Sequence, residues 1–284
     1  MNLRYFWDSI RSKAYWSYAI FSRSAAAAYL GIFGALYLIV ESLDFFKIYT
    51  RDEYCAYAFP ILFLISLVIL LILRRPVTSI NIKWSQRDTR IEIVIGDIFD
   101  SDGAIMISTN TVFEANMSGG RIAPDSLQGQ LTKKFFTGRQ NELVDWINEY
   151  LDRQGGVAPY PMGTTVPVVT HGKTFYLTAM SQLNEQGNAS TTPKKVRKAL
   201  LGLWQHVREA GELQELAVPV VGTGRGRLEP ARKKVIAMIA ESFAKASQEG
   251  KITDKLTIVV SSKDASEFKL NLHDVKDYLS HVLE

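Results

Sequence analysis

The stretch from Pro219 to Pro230, PVVGTGRGRLEP, carries residue types and a spacing suited to chemistry on an anion. Gly222, Gly224 and Gly226 alternate with Thr223, Arg225 and Arg227, directly after the apolar run 216–221 and just before a helical pattern that starts near Pro230. Glycines let backbone N–H groups approach a phosphate closely, and the start of a helix adds a favourable dipole. Arginine offers a planar fork of donors that matches phosphate, so Arg225 or Arg227 could add direct charge, or either could be solvated. The same composition also fits a basic surface turn, because glycine-rich motifs often occur without a ligand. Metal chemistry has little support: the chain has four histidines and one cysteine, and Cys55 has no second cysteine for a disulfide or a zinc cluster.

The elements that must position this loop alternate in kind. Strands are expected at 80–84, 91–95, 104–108, 164–169, 175–179, 216–221 and 256–260, where short apolar runs are bounded by polar turns. Helical spacing covers 127–153, with Phe135, Phe136, Leu143, Trp146, Ile147, Tyr150 and Leu151 toward a core, and recurs at 193–210, 230–248 and 272–283. Strands separated by helices predict an α/β sheet whose ligands bind at the carboxyl ends of strands, and the Gly222 loop follows such an end.

The first 75 residues differ in kind, because they hold nearly all the long apolar runs. Residues 54–73, YCAYAFPILFLISLVILLIL, carry no charge and stop at Arg74 and Arg75; about 20 such residues suffice to cross a bilayer. Pro60 leaves a gap in the backbone bonding of that span and is a candidate kink. Residues 25–40, extended by Ser42, Leu43, Phe45 and Phe46, make a first span, although Glu41 and Asp44 lie toward its end. These two carboxylates could snorkel to the interface, face a partner helix or line a disrupted membrane. A secretory signal is the competing reading; the second span following so soon, and no clear small-residue cleavage site, argue against it. Basic residues flank the pair on the outside (Arg4, Arg11, Lys13 and Arg23 before, Arg74, Arg75, Lys83 and Arg87 after), which places both termini in the cytoplasm. The net charge of +4 therefore reads as membrane topology before nucleic-acid binding. Ala27, Gly31 and Ala35 form a small-residue stripe compatible with close helix approach, or with the ordinary composition of spans. Residues 1–23 place Leu3, Phe6, Trp7, Ile10 and Ala14 on one helical face, as an interfacial amphipathic segment would; disorder is the alternative for so short a piece. The division expected is thus 1–23 interfacial, 24–75 two transmembrane helices, and 78–284 a soluble α/β domain.

Four stretches of that domain resemble, in order, the motifs of macro domains, the modules that bind ADP-ribose. Ile95-Gly96-Asp97-Ile98 resembles the Gly-Asp-Ile after an early strand, and AIMISTN (104–110) resembles the strand that ends in the family's asparagine-rich turn. Ser118-Gly119-Gly120-Arg121-Ile122 resembles the first phosphate loop, and residues 219–228 resemble the second. The resemblance runs from about Ile80 to the C-terminus and implies a macro-like fold, a mixed sheet flanked by helices. It also implies roles. Asp97 would accept from the adenine amino group with the Ile98 backbone beside the ring, or Asp97 would cap the next turn. Asn110 would bond the distal ribose, or its own turn. Ser118, Gly119, Gly120, Arg121 and Ile122 would meet the diphosphate, with Gly222, Thr223, Gly224, Arg225, Gly226 and Arg227 closing from the other side. Macro domains that hydrolyse ADP-ribose esters have an earlier asparagine where Ile107 stands, and neither Glu114 nor Asp125 is placed by sequence to activate water. No catalytic residue, metal or cofactor is therefore expected, only an ADP-ribose derivative as ligand.

A membrane hairpin fused at once to a macro-like domain is similar to the effector of type II Thoeris anti-phage systems. That resemblance implies a TIR-domain enzyme as functional partner, making a histidine-ADP-ribose-like signal. It further implies ligand-triggered homo-oligomerisation and disruption of the bacterial inner membrane, ending in abortive infection. A membrane-tethered ADP-ribosyl hydrolase, or a reader of ADP-ribosylated proteins, is the alternative.

Overall fold

The computed structural model describes residues 3–48, 51–84, 89–115, 122–183, 189–211, 215–221 and 231–283. The chain divides into two compact units, Met1–Val77 and Thr78–Glu284.

The first unit is helical: α1 (Leu3–Ile10), α2 (Lys13–Phe21), α3 (Arg23–Phe45) and α4 (Arg51–Leu73). The amphipathic segment is not one helix. Ser12 is extended (φ −82°, ψ 127°), so Ala14 belongs to α2, and the Trp16 indole N–H bonds the Ile10 carbonyl at 2.7 Å across the break. Ser22 caps α3 by accepting from the Ala25 N–H. Helix α3 is long and apolar enough to cross a membrane by length and composition; the part 57–73 of α4 is apolar but shorter. The two helices pack antiparallel through aromatic side chains, Tyr29 on Phe63 at 5.5 Å and Phe33 on Phe59 at 5.8 Å between ring centres. Arg74 ties the foot of α4 to the α2–α3 junction, donating to the Tyr18 carbonyl (3.0 Å) and to Ser22 and Ser24 (3.2 and 2.8 Å) while lying over the Tyr18 ring.

In the second unit the strands are β1 (Ser79–Trp84), β2 (Thr89–Ile95), β3 (Ala104–Asn110), β4 (Thr165–Thr170), β5 (Lys173–Leu183), β6 (Ala189–Ser190), β7 (Leu216–Pro219) and β8 (Lys255–Val260). The helices are α5 (Leu127–Phe135), α6 (Gln140–Arg153), α7 (Pro193–Ala210), α8 (Arg232–Glu249), α9 (Ser262–Glu267) and α10 (Leu272–Leu283). The sheet order is β1-β2-β8-β7-β3-β5-β4, with β6 paired to β5. The inner pairings from β2 to β5 are parallel, while β1 and β4 join antiparallel at the edges. This is a mixed sheet flanked by helices.

Alternation along β5 sorts the two faces. Phe175 and Leu177 enter a core with Ile105 and Ile107 of β3, Leu131 of α5, and Leu143, Ile147 and Leu151 of α6. Tyr176 points the other way, onto His206 of α7 at 5.6 Å. On that face α7 packs on α8 through Trp204 and Phe243 (5.3 Å), with the Trp204 N–H bonded to the Ser242 hydroxyl. Helix α7 can come close to the β4 end because a Cβ on Gly202 would lie 2.6 Å from the Gly163 carbonyl oxygen, a space open only to glycine. The segment 127–153, expected to be mainly helical, holds two helices, separated where Gly138 takes φ +74°, a conformation that ends helical winding at low cost only for glycine.

Candidate functional site

A cavity of about 730 Å³ opens where β2, β3, β7 and β8 end. Carboxyl ends of parallel strands converge there, so each strand delivers its following loop to a shared space. Of the residues singled out from sequence, Asp97, Ile98, Asn110 and Ile122 line it, together with Gly96, Ser108 and Thr109. The four are brought together from three separate segments of chain. Ser118, Gly119, Gly120, Arg121 and the loop Gly222, Thr223, Gly224, Arg225, Gly226 and Arg227 lie outside the described residues; their flanks, Ile122 and Val221, both line the cavity.

Asp97 ends the β2 segment and caps a single 3-10 turn, Ile98–Asp100. Its Oδ1 accepts from the Phe99 N–H at 3.1 Å, and its Oδ2 pairs with Lys134 Nζ of α5 at 2.7 Å. The same ammonium lies 4.5 Å from the Phe99 ring centre, and Lys173 donates to the Phe99 and Ser101 carbonyls. Partial burial alone would raise the Asp97 carboxyl. The Lys134 hydrogen bond, the Phe99 N–H, and the charges of Lys134 and Lys173 outweigh that, so it lies below its ordinary 3.8 and is a carboxylate at neutral pH. Asp97 therefore does cap the turn, with lone pairs still to offer a ligand amino group.

Asn110 sits at the end of β3, where the pairing with β5 is shifted by a bulge at Thr109/Asn110 that re-aims the side chain. Its Oδ1 accepts from the Val112 and Glu114 N–H groups at 3.0 and 3.2 Å. Both partners are donors, which fixes the amide orientation: the oxygen serves the turn and the NH2 is the side a ribose hydroxyl would meet. Ile107 is fully buried in the core and takes no part in the cavity lining.

Several lining residues were not anticipated. Gln128 of α5 is buried, accepts from the Thr109 hydroxyl at 3.2 Å and donates to the Glu114 carbonyl at 2.6 Å, holding the α5 start against the asparagine turn. Met180, Ser181 and Leu183 line the cavity because β5 runs four residues beyond the strand expected, to pair with β6. Ser261 precedes α9, Asp264 lies within it and Phe268 follows its end, and Arg232 opens α8. One signal was present: Ser261-Ser262-Lys263-Asp264 has the capping pattern of a helix start directly after a strand, and Ser261 accepts from the Asp264 N–H at 3.1 Å. Among the described residues no histidine lines the cavity, and no cluster of His, Cys, Asp or Glu is arranged to hold a metal.

The profile of the family described as Thoeris protein ThsA, Macro domain, matches residues 91–261, more than half of the chain. The chain belongs to the Thoeris ThsA macro-domain family. Solved structures show the same fold at low identity. A macrodomain of Oceanobacillus iheyensis solved with ADP is 15% identical with a TM-score of 0.50, covering 72% of this chain and 97% of its own. The same macrodomain with MES bound is 17% identical with a TM-score of 0.50, again covering 72% and 97%. No curated protein matches. For a ThsA macro domain, the site's placement at the strand ends and its mixed polar and apolar lining are consistent with an ADP-ribose-derived ligand.

Proposed function

We propose that this protein is a membrane-anchored anti-phage effector whose cytoplasmic macro domain binds an ADP-ribose-derived signal. The observation that carries this is a cavity that gathers Asp97, Ile98, Asn110 and Ile122 at the strand ends of a ThsA-family fold. In this reading Asp97 and Ile98 hold the adenine, the Asn110 amide holds the distal ribose, and the loops 118–121 and 222–227 close on the diphosphate. A TIR-domain partner supplies the signal, a histidine-ADP-ribose-like nucleotide. Helices α3 and α4 both cross the bacterial inner membrane, with the basic flanks inside. Ligand binding drives homo-oligomerisation of the hairpins and membrane disruption, because the ligand binds the assembled state more tightly.

Binding rather than turnover is supported by Ile107, an aliphatic core residue at the place where the resemblance to ester-hydrolysing macro domains implies an asparagine. Asp125, a carboxylate in the cavity lining, favours the alternative of an ADP-ribosyl hydrolase. The test uses the purified full-length protein in liposomes, titrated with ADP-ribose-type ligands while dye release and particle size are followed. Release and assembly that saturate with ligand support the effector. Tight binding with neither would sink it, and ADP-ribose release from a modified protein, abolished by Asp125→Asn, would favour the hydrolase.

A further inference from the structure

We propose that Gln128 is a positioning residue for Asn110, the side chain through which helix α5 sets how tightly the cavity takes the distal ribose; this rests on the nucleotide-binding reading above. The turn after Asn110 is not one the chain adopts unaided. Phe113 takes φ +49°, a left-handed conformation that is costly for a bulky residue and persists only where surrounding contacts over-determine it. One support comes from the chain after α6: the Tyr160 N–H donates to the Thr111 carbonyl at 2.7 Å, and the Tyr160 ring packs edge-on against Phe113 at 5.7 Å. Gln128, which lines the cavity, makes the tie that reaches Asn110.

Its amide grips the chain on both sides of Asn110. Thr109, the residue before it, donates its hydroxyl to Gln128 Oε1 at 3.2 Å, and Gln128 Nε2 donates to the Glu114 carbonyl at 2.6 Å. The Glu114 N–H in turn donates to Asn110 Oδ1 at 3.2 Å, so the backbone of one residue links the two amides. A carbonyl only accepts, which puts Nε2 at Glu114, Oε1 at Thr109, and makes the hydroxyl the donor. Gln128 is itself fixed. It is 5% exposed, and α5 starts on Ser126, whose hydroxyl accepts from the Gly129 N–H at 3.1 Å and donates to the Ala123 carbonyl at 2.6 Å. Gly129 lets the helix lie against that same carbonyl, because a Cβ there would stand 2.2 Å from its oxygen. A side chain on so constrained a backbone, with both polar ends engaged, holds a binding group in place.

The test is calorimetric titration of the full-length protein in detergent micelles with ADP-ribose and, separately, with ADP, which lacks the distal ribose. Gln128→Met, similar in size but without the amide, is expected to weaken ADP-ribose about tenfold, as loss of a hydrogen-bonded tie does, and to leave ADP unchanged. Added to Asn110→Ala, it is expected to weaken ADP-ribose no further, because it acts through Asn110. Thr109→Val removes the hydroxyl donor alone and is expected to give a smaller loss on ADP-ribose with ADP again unchanged; it serves alone if the methionine variant does not fold. Unaltered ADP-ribose affinity overturns the proposal. So does a parallel loss of ADP, which would make Gln128 a support for the cavity as a whole, or a second, independent loss in the Asn110→Ala background. Wild-type protein that takes ADP-ribose no more tightly than ADP overturns it too, and wild-type protein that binds neither removes the underlying reading with it.

Discussion

At the scale of single residues, Asp97 and Asn110 each hold a turn and, in the proposed function, a ligand as well, and substitutions can separate the two. Asn110→Ala removes the acceptor of two turn N–H groups and is expected to cost about 1–2 kcal/mol in unfolding free energy along with ligand affinity. Asn110→Asp keeps that acceptor but replaces the amide donor with a carboxylate oxygen. It is expected to retain near wild-type stability while losing ADP-ribose binding, checked by thermal unfolding beside calorimetry. For Asp97 the sign follows from its lowered carboxyl. The interactions that favour its charged form are present above the ordinary 3.8 and are lost as pH falls through the folded value, so ligand affinity should hold down to mildly acidic pH. Lys134→Ala should move the loss of affinity to higher pH. Its effect on stability should stay under about 1 kcal/mol, because both side chains of the pair are more than a third exposed. These residues were legible in the sequence as site candidates or as turn caps, but Asp97's partner 37 positions away was not, since that pairing depends on the folded chain.

At the scale of elements, most strands and helices were legible because each pairs an apolar period with end signals; α7 and α10 run over the residues expected. The misses have physical reasons. Helical spacing over 127–153 hid a break set by one glycine's backbone, and β6 is two residues long and exists only by pairing with the extended β5. Neither the α8 start nor the α9 wall showed as a site, because Arg232 reads in sequence as one more basic residue of a helix. Close packing of elements yields a direct check: Gly202→Ala would push α7 off the Gly163 backbone and is expected to cost about 1–3 kcal/mol, measured by denaturant unfolding. His206, between α7 and β5, supplies a pH signature remote from the ligand cavity. Burial lowers its pKa from 6.5 against the opposing pull of Glu209, so the folded state disfavours the protonated ring. Stability should therefore fall as pH drops below 6.5, where the unfolded chain binds the proton more readily, and His206→Phe should flatten that slope.

At the scale of the whole molecule, an apolar helix long enough to cross a membrane, α3, is followed by α4, and the short stretch 74–77 leads from α4 to a ThsA-family macro domain. The α3 face carrying Ala27, Gly31 and Ala35 is exposed, and a Cβ on Gly31 would meet nothing within 4 Å. If copies of the chain assemble through this face, Gly31→Ile should abolish ligand-dependent dye release from liposomes while leaving ADP-ribose affinity intact. Unchanged release would place assembly elsewhere. Beneath these expectations lies the claim that the cavity at the strand ends takes an ADP-ribose-type nucleotide. The most direct measurement is calorimetric titration of the full-length protein with ADP-ribose, beside Asp97→Ala and Asn110→Asp. Saturable binding at one nucleotide per chain, weakened by both substitutions, is the expected result. No binding by the wild type, or binding indifferent to both substitutions, would contradict it.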